Sequence, residues 1–492
     1  MRSGQAHQDW PPTAGIPAGI RQGYRVNDVH SRLNATEVAD VVRVDSVAAL
    51  QQAIAMAARE EMSVSICGGR HAMGGQQFGR GCLLVDTTAL NRVIDYDTDR
   101  GLVTVEAGID WPRLVTHLLW ANAGTSPAWG IAQKQTGADR LSIGGALSAN
   151  IHGRGLRMAP IVADVESFDL VDADGAVVRC SRTENRERFS LALGGYGLFG
   201  VIARVTLRLA LRHKVERRVC IARADDLPGL FEERIARGFE YGDFQFATDP
   251  DSHEFLQAGV FSCYRPVEAE RTIPDGQRAL TTADWHHLLL LAHAEKSRAF
   301  AEYARHYMST DGQVYWSDTH QLAEYLDDYH GGLDRQLASP VPGSEMITEL
   351  YVRRPDLPAF MTAVRDDARR HRVNVVYGTI RLIERDDDTL LSWAREPWAC
   401  IVVNLHVDHT PAGIDKAASD FRRLIDAALE FGGSYYLTYH RWATAEQVET
   451  AHPNMRRFLA LKRAYDPAHR FTSDWHTHHL RLLGCAEEER RS

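Results

Sequence analysis

Apolar positions along the first part of the chain switch repeatedly between helical spacing and short continuous runs. Val47, Leu50, Ile54 and Ala57 fall on one helical face, and Asp45 or Ser46 just before them can cap the helix. The apolar run 64–66 predicts a strand, as do 83–86 and 102–106, while 111–120 predicts a second helix. Segments 165–171 and 176–180 are joined by Asp172-Ala173-Asp174-Gly175 and predict a hairpin, because Asp and Gly tolerate the positive φ of its turn. From about Leu211 the polar connections lengthen, and a helix-rich stretch over 284–325 carries many aromatic and histidine residues. An amphipathic helix with Leu357, Phe360, Met361 and Val364 on one side follows, then strands near 373–383 and 400–407. A last helix repeats Ile414, Ala417, Ala418, Phe421, Leu424, Ile425 and Ala428. The pattern predicts an α+β chain whose second domain sets helices on one face of an antiparallel sheet. No internal repeat or low-complexity segment interrupts it.

Composition narrows the function. The 492 residues are 44% hydrophobic and 25% charged, enough for two to three globular domains. A net charge of −9 without a basic block argues against nucleic acid, an anionic membrane or an acidic macromolecular substrate. The seven cysteines, Cys67, Cys82, Cys180, Cys220, Cys263, Cys400 and Cys485, are scattered and never form C-x-x-C. They read as reduced thiols in a cytoplasm, with no zinc or disulfide framework. Residues 1–34 lack the apolar core of a signal peptide, no stretch has the length of a membrane span, and the first residues and 486–492 read as mobile. His476, His478 and His479 read as part of a solvated terminus, and His286-His287 as surface or partly buried packing.

Three glycine-rich segments carry the candidate chemistry. Cys67-Gly68-Gly69-Arg70-His71-Ala72-Met73-Gly74-Gly75-Gln76 follows the strand over 64–66 and sets four glycines around one histidine, a loop suited to cradling a pyrophosphate. A turn with a surface histidine is the plainer reading. The second segment, Ser142-Ile143-Gly144-Gly145-Ala146-Leu147-Ser148-Ala149-Asn150-Ile151-His152-Gly153, is small enough for backbone to lie against a flat ring system. In the third, Gly195, Gly197 and Gly200 spell the spacing of a nicotinamide-cofactor fingerprint. That fingerprint must leave a strand and open a helix. Here a helix-like stretch over 184–193 leads in, and an alternating β-branched run over 201–209 leads out, so the reading is rejected.

Taken together, the three segments resemble the vanillyl-alcohol oxidase / p-cresol methylhydroxylase superfamily of FAD-dependent oxidoreductases. The His71 loop is most similar to that of cytokinin dehydrogenases. The Ser142 segment and the tail Tyr465-Asp466-Pro467-Ala468-His469-Arg470-Phe471-Thr472-Ser473-Asp474 resemble decaprenylphosphoryl-ribose oxidases and aldonolactone or alditol oxidases. The similarity covers roughly 35–210, thins, and returns near 432–480. It implies a two-part FAD-binding domain, 1–212 with a returning C-terminal segment 432–492, and a substrate-binding cap over 213–431. It implies FAD contacts from Ile66, Cys67, Gly68, Gly69, Arg70, His71, Ala72, Met73, Gly74, Gly75 and Gln76. Further contacts are implied at Gly137, Ser142, Ile143, Gly144, Gly145, Ala149, Asn150, Ile151, His152, Ile202 and Tyr436. His71 is the residue that carries the flavin covalently in cytokinin dehydrogenases. A largely unprotonated imidazole at neutral pH is a competent nucleophile for that link.

The activity implied is transfer of a hydride from a carbinol carbon to the flavin N5, with a base taking the hydroxyl proton. The substrate expected is a sugar, alditol, glycoside or hydroxylated secondary metabolite, with O2 as acceptor and H2O2 as product. A dehydrogenase with another acceptor and a nucleotide-binding protein without redox chemistry are the alternatives, and oligomeric state is left open. In sugar and alditol oxidases a lysine lies where this chain has Tyr439. A phenol needs a nearby cation, Arg381 or Arg441, to serve as a base near neutral pH. His440 and His152 are alternative bases, and sheet packing is the other reading of Tyr436 and Tyr439. Arg381 matches an arginine that binds substrate hydroxyls in alditol oxidases, while Thr379 replaces a glutamate. A surface ion pair with Glu384 or Asp387 is the other reading of Arg381. The period of two on the next strand predicts Ala399, Ile401 and Val403 as an apolar pocket wall.

Overall fold

The computed structural model describes residues 23–485 apart from 324, 325 and 327, so the expectations for the first residues and for 486–492 lie outside the described residues. Ser46 caps the first long helix, Val47–Arg59, by accepting from Ala49 N, a bond worth about 1 kcal/mol. The helix buries Leu50, Ala53, Ile54 and Ala57 against a small parallel sheet in the order Asp40–Arg43, Leu83–Asp86, Val64–Cys67. Beside it, Val177–Ser181, Val165–Val171, Val201–Arg208, Leu102–Glu106 and Val93–Asp97 form an antiparallel sheet, and the hairpin closes at Asp172-Ala173-Asp174-Gly175 as its residues demand. The third glycine segment runs from the helix Arg186–Ala192 into the strand Val201–Arg208, the reverse of a nicotinamide-binding turn.

The second region is an eight-stranded antiparallel sheet. Its order is Val314–Trp316, Lys214–Arg223, Ala258–Pro266, Tyr241–Phe246, Val375–Ile383, Trp398–Asp408, Gly343–Arg353, Ser434–Tyr435. The helices Leu357–Arg370 and Pro411–Glu430 pack their apolar stripes on one face. The other face is not left bare, as the sequence suggested. The helices Thr282–Ala294 and Lys296–Met308 roof it and enclose a cavity. The molecule is therefore α+β, with helices on both sides of the cap sheet. Among the described residues no helix is long and apolar enough to cross a membrane, and none of the cysteines forms a disulfide.

The C-terminal residues return to the first region. Phe471 bridges Val64 in parallel; Val64 N donates to Arg470 O at 2.6 Å and Thr472 N to Val64 O at 3.0 Å. Asp466, in a buried ion pair with Lys462, accepts from Arg470 N and Phe471 N and fixes this turn. The helix Asp474–Leu482 then buries Trp475, His476 and His479. Those histidines are core residues and not a solvated terminus. His287, by contrast, is exposed and paired with Glu302, in keeping with its surface reading.

Candidate active site

A cavity of about 720 Å³ lies between the two regions, and seven glycines line it: Gly68, Gly69, Gly137, Gly144, Gly145, Gly197 and Gly200. The first two segments press together here. A Cβ on Gly68 would lie 2.0 Å from Ser142 Oγ, and one on Gly69 would lie 2.5 Å from the carbonyl of Arg140. Ser142 itself caps the helix Ile143–Ala149 by accepting from Gly145 N. A Cβ on Gly137, where φ is +80°, would meet no protein atom and would enter the cavity. Such a wall of bare backbone fits a flat ring and a pyrophosphate.

Most of the residues expected from the sequence come together at this cavity. Ile66, Arg70, His71, Ala72, Met73, Gln76, Ser142, Ala149, Ile151, His152, Ile202 and Tyr436 line the cavity with the glycines, whereas Cys67, Gly74, Gly75, Ile143 and Asn150 lie behind it. Asn150 takes a left-handed turn (φ 48°), receives Val162 N, and donates to Asp386 Oδ2 of the cap. The Gln76 side chain bonds the carbonyls of Leu437 and Thr438 at 2.9 and 3.1 Å, tying the His71 loop to the segment that carries Tyr439. Tyr436 donates its hydroxyl to the Ala149 carbonyl at 2.5 Å.

His71 is buried. Its Nδ1 lies 2.8 Å from His30 Nε2, and the ring donates to the backbone carbonyl of Arg140. Burial, followed by the neighbouring His30, holds its pKa well below the ordinary histidine value. A neutral ring that commits its N–H to the carbonyl keeps a lone pair on Nδ1.

The opposite wall is the cap sheet, and its parity corrects the sequence reading. Ala399, Ile401 and Val403 face the helical core; Val402 and Asn404 line the cavity. Register sets Cys400 opposite both Arg381 and Tyr351, and Val402 opposite both Thr379 and Glu349. Glu349, fully buried, is the centre. Its Oε1 lies 2.6 Å from His152 Nε2 and accepts from the Tyr351 hydroxyl at 2.6 Å and from Cys400 Sγ at 3.2 Å. Its Oε2 accepts from the Tyr439 hydroxyl at 3.3 Å, which in turn receives Gln135 Nε2 at 3.3 Å. His152 Nδ1 faces the carbonyl of Gly153 at 3.0 Å. Both ring nitrogens of His152 thus face oxygen acceptors. Burial pushes the Glu349 carboxyl up, but the His152 charge and the donated hydrogen bonds bring it down to about 2.

Tyr439 is in the cavity, but burial and then the Glu349 charge push its phenol well above the ordinary value, while only Arg381 pulls the other way. The other cation expected to act on it, Arg441, bonds Asn34 instead. Arg381 is 6% exposed, and its Nε has no hydrogen-bond partner among the described residues. Glu384 and Asp387 pair with Arg354 and Arg385, so neither holds Arg381. His440 is turned away from the cavity, packed against Phe421 and Trp442 with Nε2 3.3 Å from Thr348 Oγ1. Glu349, Gln135, Cys400 and His30 were not singled out from the sequence. The one available signal was a carboxylate in phase with the inward positions of an apolar strand, Gly343–Arg353.

Comparison with known proteins agrees with this geometry. Residues 38–181 match the FAD binding domain family. The chain is an FAD-binding oxidoreductase. It is 25% identical over 438 residues to L-gulono-1,4-lactone dehydrogenase of Mycobacterium tuberculosis, covering 88% of this chain and 94% of that protein. It is 31% identical over 190 residues to cytokinin dehydrogenase 10 of Oryza sativa subsp. japonica, covering 36% of this chain and 33% of that protein. With L-gulonolactone oxidase of Mus musculus it shares 29% identity over 168 residues, covering 33% of this chain and 35% of that protein.

Proposed function

We propose that this flavoprotein oxidises the carbinol carbon of a small hydroxylated molecule and carries its FAD covalently on His71. The observation that carries the reading is the chain Gln135–Tyr439–Glu349–His152, buried at one cavity across from the glycine wall. Bound FAD supplies the acceptor for the hydride that leaves the carbinol carbon. The Tyr439 hydroxyl spends its own proton on Glu349 Oε2 and receives Gln135, which leaves one lone pair for the substrate hydroxyl. The substrate proton passes to Tyr439 Oη as the phenolic proton moves to Glu349 Oε2, so no phenolate has to form. Glu349 stands in the row of Thr379, with Val402 between them, and returns a carboxylate to the wall from which Thr379 removed one. Arg381, with its Nε unpaired, binds a second substrate oxygen. Trp285, Leu289, Tyr377 and Val402 favour an apolar portion on the same molecule.

Dioxygen as acceptor follows the relatives named oxidase, and a dehydrogenase with another acceptor is favoured by the near end-to-end match to a protein named dehydrogenase. Screening alditols, sugars, aldonolactones, glycosides and aromatic alcohols for flavin bleaching without oxygen tests the reaction. Peroxide formed in step with turnover selects the oxidase; fast reduction with slow reoxidation in air selects the dehydrogenase. For the link, acid precipitation of the parent should leave a yellow pellet and His71→Ala a colourless one. Colour retained in the His71→Ala pellet removes His71 as the tether.

A further inference from the structure

A second cluster of ligating side chains lies at the far end of the same cap strands. The period of two puts Glu345 on the face shared by Ile347 and Glu349, and the register pairs it directly with His406. Four residues separate Glu345 from Glu349, about 13 Å along the strand, too far for the cluster to touch the chain at Tyr439. His293, in the last turn of the roof helix Thr282–Ala294, comes down on the pair. Glu345 Oε1 lies 3.0 Å from His293 Nε2 and 3.8 Å from His406 Nδ1, and one ligand atom from each residue lies within 4.8 Å of the others.

His293 Nε2 and His406 Nδ1 lie at ion-pair distance from Glu345 Oε1, but not in donor–acceptor geometry. His293 Nε2, His406 Nδ1 and Glu345 Oε1 are all buried, and none makes a hydrogen bond of adequate geometry. Three buried polar atoms converging on one point without hydrogen bonds are costly unless something at that point satisfies them together. A tetrahedral zinc ion with bonds of about 2.0–2.1 Å sets its ligands about 3.3 Å apart, between the two distances found. The surroundings already orient the ligands. His406 Nε2 faces Asp408 Oδ1 at 3.3 Å, which directs the proton there and the lone pair of Nδ1 toward the centre. The other oxygen of Glu345 accepts from the Tyr329 hydroxyl at 2.5 Å, and His330 Nε2 lies at ion-pair distance from it, 2.9 Å away.

We propose that His293 Nε2, His406 Nδ1 and Glu345 Oε1 bind a divalent cation of the zinc class, with His330 and Tyr329 orienting the carboxylate and Asp408 orienting His406. Two imidazoles and a carboxylate without a thiolate suit a borderline cation and disfavour calcium or magnesium, which take oxygen sets. Three protein ligands leave the fourth position of the ion to water. The ion fastens the helix carrying Trp285 and Leu289, which roof the cavity, to the sheet that forms the floor.

Equilibrium dialysis of the full-length protein against zinc chloride, read by elemental mass spectrometry, tests the site. About one zinc per chain is expected, displaced by neither calcium nor magnesium. His406→Ala and His293→Gln should each abolish that stoichiometry while circular dichroism shows them folded. His330→Ala should weaken zinc binding about 10–100-fold, as loss of an orienting partner does. Should His406→Ala fail to fold, His293→Gln, on the roof helix alone, decides the matter. Absence of zinc from the parent, or zinc bound equally well by the His293 and His406 variants, overturns the proposal.

Discussion

The two walls of the cavity are built from different materials. The cofactor wall is backbone: glycines whose missing side chains let two loops touch at Gly68 and Ser142, with one imidazole standing out of it. The cap wall is side chains: Glu349, His152, Tyr439, Arg381 and Asn404, projecting from a sheet or facing it. A wall of bare backbone suits a flat ring and a pyrophosphate whatever the substrate, whereas a wall of side chains can be exchanged residue by residue. Under the function proposed above, cofactor binding and substrate choice are separated in space.

Breaking the cap wall should harm chemistry and spare the cofactor. Glu349→Gln should slow anaerobic flavin reduction by about 10²–10⁴-fold, the range for a lost proton acceptor, with flavin content unchanged. A variant reduced at the parent rate would show that the proton leaves by another route. Tyr439→Phe should cost less, on the order of 10–100-fold, because the carboxylate remains for water to reach. Equal losses in the two variants would merge the relay into a single acceptor. Breaking the cofactor wall should do the reverse. Gly68→Ala forces a Cβ against Ser142 Oγ and should destabilise the protein by about 1–3 kcal/mol, read as a lower melting temperature and a lower flavin-to-chain ratio, with little change in reduction rate of the loaded fraction.

The smallest effect is on acid stability. Glu349 is held at about 2, below its ordinary 4.5, so its ionisation stabilises the fold above pH about 4.5, and that contribution fades as the pH falls toward about 2. Glu349→Gln should flatten the stability profile in that window, measured by denaturant titration between pH 5 and 2. A profile as steep as the parent's would assign the acid sensitivity to other groups.

The same difference in material explains what could be read from the chain. Gly68, Gly69 and Gly144 stand where close approach to Ser142, Arg140 and Ala107 leaves no room for a Cβ, a demand only glycine meets, and so a mark that shows in the residue type itself. The helices Val47–Arg59, Leu357–Arg370 and Pro411–Glu430 showed through their spacing because each has one buried stripe. The cap strands are covered on both faces, so alternation carried no sign. Ala399, Ile401 and Val403 looked as much like a pocket wall as Val402 and Asn404, and the structure chose the latter. His476 and His479 sat in a stretch that looked polar, and only packing around Trp475 shows them buried. Glu345, His293 and His406 come from two strands and a helix far apart in the chain, so no ligand spacing could announce them.

The pairing of Phe471 with Val64 sets an order of assembly. The strand Val64–Cys67 leads straight into the His71 loop, and on its open side it is completed by residues made some four hundred positions later. During translation the amino-terminal glycine loops emerge early, yet their bed is finished only when the residues around Phe471 and Trp475 have left the ribosome. The strand that leads into the His71 loop is thus completed only at the end of biosynthesis, and proteolytic trimming that crosses Phe471 uncovers it before any residue of the cap is reached.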